Sequence, residues 1–420
     1  MGKFIADIRK SKGLTQKEVA GMLNISEKTV SKWECGNGLP EVVYMLPLCN
    51  ILGITVNELL AGEYLHIEEF LQKMDISRLE LMKQLEFEQL KMLMYKLYGL
   101  EVDSMEISDK GAGSLTYFVN ASEKKYVIKY ASDNNMNNPE LEPKLCEYLR
   151  ENGIPACEFI KNLQGRVIST DENGRRFHVQ KFIEGITYSY NEATDFLLKE
   201  AAEFLSKIHL VLKDYEELPD GIGTEFFQYR TPESTLISYE NSLQMALQSG
   251  DYDNAEDIRN NIEILKRFTN DTIDISELSC GNTHGDFMIS QILCDDYGII
   301  KGIIDWTTAC RHPYVWEIVR SYVFMAPECK HGEINMDKFE VYLKTYLNKG
   351  KLKQYDMENA GKMFFQFLAV CDFYGQYYHS LARNRHVYLQ QAKLSAKLLK
   401  WFEQHIDELT NRLNKIATEM

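Results

Sequence analysis

The feature that most constrains this chain is a pair of aspartates set in a fixed order of residues: His284-Gly285-Asp286, then Gln291, then Ile303-Ile304-Asp305-Trp306. Between the two acids, residues 289–293 and 299–304 are short apolar runs separated by the polar turn Asp295-Asp296-Tyr297-Gly298. Short apolar runs bounded by turn residues predict a loop, a strand, a hairpin and a second strand. Asp286 then sits on the loop entering the hairpin and Asp305 at its exit, so both carboxylates face one cleft. A His-Gly-Asp tripeptide alone is an ordinary turn; the ordered set with strands around it is what narrows the fold.

Two acids so placed suit phosphoryl transfer, in which one carboxylate meets an acceptor hydroxyl and the other holds magnesium. The groups such a cleft needs occur upstream in the right order. Gly111, Gly113 and Ser114 lie in a turn between strand-like stretches, where glycine lets backbone amides approach phosphate oxygens. Tyr126-Val127-Ile128-Lys129-Tyr130 reads as a buried strand with a lysine at its centre, and a buried ammonium needs a partner. The helical stretch 140–149 supplies Glu140 and Glu142.

Together these motifs resemble the aminoglycoside-phosphotransferase and choline-kinase-like family of small-molecule kinases. The resemblance implies an α+β bilobal protein-kinase-like fold with ATP (or GTP) and Mg2+ as cofactors. It makes Asp286 the catalytic acceptor of the substrate hydroxyl's proton, Gln291 and Asp305 the metal ligands, and Gly111, Gly113, Ser114, Lys129 and Glu142 the nucleotide site. Aligning the helix ending Glu147-Tyr148-Leu149 selects Glu142 over Glu140. Residues 180–185 would join the lobes beside the adenine. His209 and His284 are read as packing and loop-orienting groups, and Trp316 and Glu317 as scaffold. One position departs from the family: Gln291 stands where the pattern has Asn. The extra methylene displaces the amide oxygen, and magnesium demands near-octahedral geometry, so the departure implies weaker metal binding, or none.

The amino terminus carries a second message. Helix caps and amphipathic runs predict five short helices in about sixty residues, a compact all-α bundle. Gly13-Leu14-Thr15-Gln16, Val19-Ala20, Leu23, Val30-Ser31-Lys32-Trp33-Glu34 and Leu59-Leu60 resemble the Xre and Cro-like helix-turn-helix family. That resemblance puts the helix from Ser26 in the major groove of double-stranded DNA, with Glu27, Lys28 and Lys32 at base edges and Thr15 and Gln16 near phosphate. It also makes Arg9 and Glu34 a structural ion pair and Val30 and Trp33 core. Residues 1–33 hold seven basic and three acidic side chains in a chain of net charge −15, so attraction to DNA is confined to this end.

The whole is expected to be multidomain: 1–62 helix-turn-helix, 63–98 helical connector, 99–185 small lobe, 186–420 large, mostly helical lobe. In the connector, Leu90, Leu93, Met94 and Leu97 form a stripe read as covering the small lobe rather than pairing subunits. In the carboxyl-terminal third, Asp372, Tyr374 and Tyr378 stand in an aromatic cluster that could hold a cationic part of a small-molecule hydroxyl acceptor through charge and ring faces. The nine cysteines are scattered, with no Cys-x-x-Cys, which argues for a reducing cytoplasm and against a zinc site. No apolar run approaches membrane length. The expectation is a cytoplasmic homodimer that regulates transcription and phosphorylates a small alcohol, with no membrane role; the alternative is a repressor whose kinase-like half only senses a nucleotide or small ligand.

Overall fold

The structure, a computed structural model, describes residues 1–64, 67–108, 115–130, 140–221, 231–267, 273–379 and 385–419, without the side chains of 67–80, 82, 83 and 419. The chain divides into two compact units, Met1–Leu90 and Lys91–Met420.

In the first unit α1 (Gly2–Ser11), α2 (Gln16–Leu23), α3 (Glu27–Glu34), α4 (Val42–Leu52) and α5 (Val56–Ala61) follow one another through short turns. Local chemistry sets each boundary. The Thr15 hydroxyl accepts from the Glu18 amide at 3.2 Å while the Glu18 carboxylate accepts from the Thr15 amide at 2.7 Å, a reciprocal cap that starts α2. Asn24 ends α2 in the left-handed region, at φ 56°, where asparagine is tolerated. Ser26 caps α3 through the Thr29 amide. The apolar faces of α1 to α5, including Ile5, Ile8, Val19, Leu23, Val30 and Trp33, close one core. Arg9 clamps α1 to α3 by a bidentate pair with Glu34, at 2.6 and 2.8 Å, and the Gln16 amide donates to the same carboxylate at 2.8 Å.

A long helix, α6 (Ile67–Tyr98), crosses the division. In the second unit, β1 (Val102–Ile107), β2 (Thr116–Ala121), β3 (Lys124–Tyr130), α7 (Leu141–Glu151), β4 (Phe159–Ile160), β5 (Ile168–Thr170) and β6 (Arg176–Lys181) come first. The strands form an antiparallel sheet in the order β1-β2-β3-β6-β4, with β5 also on β6. Among the described residues, α8 (Asp195–Leu212), α9 (Pro232–Gln248) and α10 (Tyr252–Arg267) follow, then β7 (Cys280–Thr283), β8 (Ile292–Cys294), β9 (Ile300–Ile303) and β10 (Cys310–Pro313). After these come α11 (Tyr314–Val323), α12 (Met336–Leu347), α13 (Gln354–Val370), α14 (Phe373–His379) and α15 (His386–Glu419).

Two short ladders, β7 with β10 and β8 with β9, sit on the helical layer. The first apolar run does not make one strand: Ile289–Gln291 is a 3-10 turn, closed by the Gln291 amide on the Met288 carbonyl at 2.9 Å, and the strand starts after it. The hairpin is tied to the sheet side by the Ile303 amide on the Pro155 carbonyl, 2.7 Å, and by the Ile186 amide on the Cys294 carbonyl, 2.8 Å. No helix among the described residues is long and apolar enough to cross a membrane.

Candidate active site

The His284-Gly285-Asp286 turn leaves β7 and is held by backbone hydrogen bonds. A backbone carbonyl only accepts and an amide only donates, so the His284 contacts define its ring: Nε2–H donates to the Ile304 carbonyl at 3.0 Å, and Nδ1 accepts from the Asp286 amide at 3.3 Å. Gly285 has φ +79°, and a Cβ there would lie 2.0 Å from the Thr308 carbonyl oxygen, so no side chain fits. Below the loop, fully buried Glu317 accepts from the Phe287 amide at 3.4 Å and meets His209 Nε2 at 2.9 Å; His209 Nδ1 meets the Tyr346 hydroxyl, also at 2.9 Å. Burial disfavours the Glu317 carboxylate, but the His209 contact outweighs it and holds the group below the usual range. Residues on α8, α11 and α12 thus hold the loop from one side.

Asp305 is reached through the hairpin. Ile292 stands opposite Ile303, and the Ile304 amide donates to the Gln291 carbonyl at 3.0 Å, so Gln291 lies across from Ile304, the residue before Asp305. Asp305 has φ 63°, a left-handed conformation that asparagine and aspartate adopt more readily than other non-glycine residues. Its carboxylate contacts the Lys129 ammonium and accepts from the Thr307 hydroxyl at 2.6 Å. Burial works against ionised Asp305, yet Lys129 and Thr307 more than compensate and keep it below the usual carboxylate range. Burial likewise disfavours the Lys129 ammonium, and the charges of Asp305 and Glu142 reverse that, leaving it raised.

Lys129 comes from β3, beside His178 on β6. Glu142 on α7 is within the electrostatic reach of Lys129, but its hydrogen bond goes to the Trp306 amide at 3.1 Å. The lysine's direct partner is therefore Asp305. Burial pushes the Glu142 carboxyl up to about 7, with Lys129 and the Trp306 amide pulling the other way.

The residue that sequence reasoning missed is Arg320. It is 8% exposed on α11 and forms an ion pair with Asp286, with Nε 3.2 Å from Oδ1. Its guanidinium lies over Phe324 and Trp316, with centroid distances of 4.7 and 5.3 Å. Buried Nη1 has no hydrogen-bond partner among the described residues. The Gln291 amide makes a long contact of 3.4 Å to the other Asp286 oxygen. Burial raises the Asp286 carboxyl above its usual range despite Arg320. Tyr190 is near enough to feel the Asp286 charge, and its hydroxyl is hydrogen bonded with Ser290 and Gln391. The available signal was an arginine one turn after Glu317 on the run 314–324, whose other residues apart from Ser321 are apolar or aromatic.

The other expected site residues fall as follows. Gly111, Gly113 and Ser114 lie outside the described residues. Asp372 accepts from the Ser238 hydroxyl and from the Gly375 amide, the buried Tyr374 donates to Asp257 at 2.7 Å, and the Tyr378 hydroxyl contacts Asp251 and Asn254, each at 3.1 Å. All three have partners within the chain. In the first unit, Glu27, Lys28 and Lys32 are exposed on α3 and Thr15 is exposed at the start of α2, whereas the Gln16 amide is engaged by Glu34.

An antiparallel sheet bearing a half-buried lysine, and a loop-hairpin pair bearing two acids, define an α+β kinase-like domain that follows a helical bundle in the chain. Residues 105–346, more than half of the chain, match the Phosphotransferase enzyme family (APH), and the chain belongs to that family. Residues 5–59 match the Helix-turn-helix family. The HTH-type transcriptional activator BcrR of Enterococcus faecalis is 36% identical over 61 residues, 14% of this chain and 30% of that protein, so the chain spans under a third of the curated relative it matches. The fold is similar to that of a microcompartment-associated aminopropanol kinase (TM-score 0.54, 11% identity, 78% of this chain and 99% of the other). It is also similar to that of an amicoumacin kinase in complex with AMP-PNP, Ca2+ and Ami (TM-score 0.51, 13% identity, 74% and 92%).

Proposed function

We propose that this chain is a cytoplasmic, DNA-binding transcriptional regulator fused to an ATP-dependent phosphotransferase that phosphorylates a hydroxyl of a small molecule. The observation that carries the reading is the convergence of Lys129, Asp305, Gln291 and Asp286 from four segments on one cleft. Asp286 would take the acceptor hydroxyl's proton, and Lys129, positioned beside Glu142, would bind nucleotide phosphates. Asp305 and Gln291 would hold a magnesium ion: the backbone pairs Gln291 with the residue before Asp305, the two offer one carboxylate and one amide oxygen, and magnesium ordinarily takes one or two protein oxygens and completes its shell with phosphates and water. When bound, that ion neutralises phosphate charge. Tyr190, Ser290 and Gln391, grouped beside Asp286, are the acceptor-side residues the structure offers, and they favour a hydroxyl-bearing substrate held by neutral hydrogen bonds.

If Gln291 holds the metal through a lengthened side chain, Gln291→Asn should lower the magnesium concentration needed for half-maximal turnover, and manganese should serve the wild type better than magnesium. Superimposable titrations of the two proteins would remove Gln291 from the metal site.

On the DNA side, exposed Lys28 and Lys32 on α3 support a dimer that reads a two-fold operator, with half-sites roughly 34 Å apart. Lys32→Ala should weaken operator binding by about 1–3 kcal/mol with little effect on stability, measured by titration against a selected operator. Random-site selection that returns no preferred sequence would end the regulator reading.

One observation favours a second reading, a repressor that senses a ligand without turning it over: Arg320 engages the Asp286 carboxylate that the acceptor hydroxyl would need. Saturating nucleotide would then shift operator affinity, and operator would shift nucleotide affinity by the same factor. Calorimetric titration of ATP with and without operator, beside a turnover assay over an acceptor panel, separates the two.

A further inference from the structure

Strand β6 carries different chemistry on its two faces. Phe177 and Val179 are buried apolar residues on one, and His178 and Gln180 alternate with them on the other. Directly opposed residues of an antiparallel pair share a face, and the register sets Lys129 against His178 and Val127 against Gln180. Lys129 reaches Asp305, so the face that carries His178 and Gln180 is the one turned to the cleft. Phe118, opposite Val127, belongs to it too, and its edge-to-face contact with Phe182 at 6.0 Å extends it past the end of the strand.

Burying a histidine and a glutamine on such a face is unfavourable unless their polar atoms are paired. His178 and Gln180 are 7 and 6% exposed, yet they make one hydrogen bond, to each other: the Gln180 amide nitrogen donates to His178 Nε2 at 3.1 Å. An amide nitrogen cannot accept, so Nε2 is the unprotonated ring atom and the imidazole is neutral with its proton on Nδ1. Burial and the neighbouring Lys129 charge act in the same direction, pushing the pKa of His178 down to about 3. The contact occupies the nitrogen end of the Gln180 amide. Its oxygen end has no hydrogen-bond partner among the described residues.

We infer that Gln180 reads the nucleobase of the phosphate donor and selects adenine over guanine, with His178 as the residue that positions its amide. Lys129 marks where phosphates would sit. Gln180 lies roughly 7 Å further along β6 than the residue opposite Lys129, and Phe118, Val127 and Phe182 offer a planar ring an apolar surface beside it. Adenine carries an amino donor at C6, which matches an unpaired carbonyl oxygen. Guanine carries an oxygen there, which would face that carbonyl acceptor to acceptor. The inference deepens the phosphotransferase reading and rests on it only for a nucleotide in this cleft.

Calorimetric titration of the full chain with ATP, GTP and ITP in magnesium buffer tests it, with circular dichroism melts to confirm that each variant folds. ITP shares guanine's oxygen at C6 but lacks its amino group at C2, so it isolates the contact in question. The wild type should bind ATP roughly ten- to a hundredfold more tightly than GTP or ITP, the range expected when a buried acceptor is left unpaired. Gln180→Leu removes the reader and should bring the three affinities within about threefold of one another. His178→Leu frees the amide to turn its nitrogen toward an oxygen at C6, so GTP and ITP should bind this variant more tightly than the wild type, a gain that structural damage does not give. Equal affinities in the wild type, a preference for GTP, ITP binding as well as ATP, a Gln180→Leu protein that keeps the preference, or a His178→Leu protein with no gain for GTP and ITP overturns the inference. Tight binding that ignores the base sinks it and leaves the phosphotransferase reading standing. Adenine preference in a protein that turns over no acceptor does the reverse, and a chain that binds no nucleotide loses both.

Discussion

Asp286→Asn is expected to lower kcat for phosphoryl transfer by roughly 10²- to 10⁴-fold, the usual contribution of a positioned base, while leaving nucleotide affinity nearly unchanged. The substitution is isosteric, and its amide oxygen still accepts from Arg320, which contacts Oδ1 in the structure. What it removes is the capacity to hold a proton. Nucleotide phosphates would be met by Lys129, which reaches Asp305 rather than Asp286, so binding and turnover should separate cleanly. The pH profile carries the sign. A base works deprotonated, and burial raises the Asp286 carboxyl, so kcat/KM of the wild type should rise with pH through a value above the ordinary carboxylate range. Steady-state kinetics with a competent acceptor, beside calorimetric ATP titration, checks both halves; turnover that survives in Asp286→Asn would take this residue out of the mechanism.

How much of this was legible beforehand depends on where each partner lies along the chain. Asp286, Gln291 and Asp305 were readable because a single hairpin brings them together and its apolar runs show in the sequence. Even there the first run divides into a 3-10 turn and a strand, a distinction short apolar runs do not encode. Lys129 was readable as a cation on a strand, but its choice of Asp305 over Glu142 was not, since that choice is made by the left-handed backbone at Asp305 and by the Trp306 amide that engages Glu142. The aromatic cluster at Asp372, Tyr374 and Tyr378 was ambiguous in the sequence because rings beside an acid serve packing and cation binding alike. The structure supplies Ser238, Asp257, Asn254 and Asp251 as partners from α9, α10 and the turn between them, far away in sequence. On α6 the stripe through Leu90 and Met94 was visible in the sequence, and the structure buries both.

Arg320→Gln should destabilise the protein by about 1–3 kcal/mol near neutral pH, because it leaves half-buried Asp286 without its charged hydrogen-bond partner. Two costs contribute, and pH separates them. Losing the guanidinium's packing over Phe324 and Trp316 costs the same at any pH. The uncompensated charge does not. Burial already lifts the Asp286 carboxyl above its usual value with Arg320 in place, and removing the arginine lifts it further. A carboxyl whose folded value exceeds its unfolded value binds its proton more tightly in the native state, so the stability lost is small below the unfolded value of about 3.9 and grows as pH rises toward the folded one. Urea denaturation of wild type and variant, at a mildly acidic and a neutral pH, should therefore show a deficit that widens with pH. In Asp286→Asn/Arg320→Gln the neutral-pH penalty should shrink toward the packing cost, since no charge is left to strand. A deficit equal at both pH values, or a double variant as unstable as the sum of the single ones, would show that Arg320 is held by its aromatic neighbours alone and sets no charge on Asp286. The same substitution should move the acid limb of the kcat/KM profile to higher pH, an effect that a purely packing role for Arg320 leaves absent.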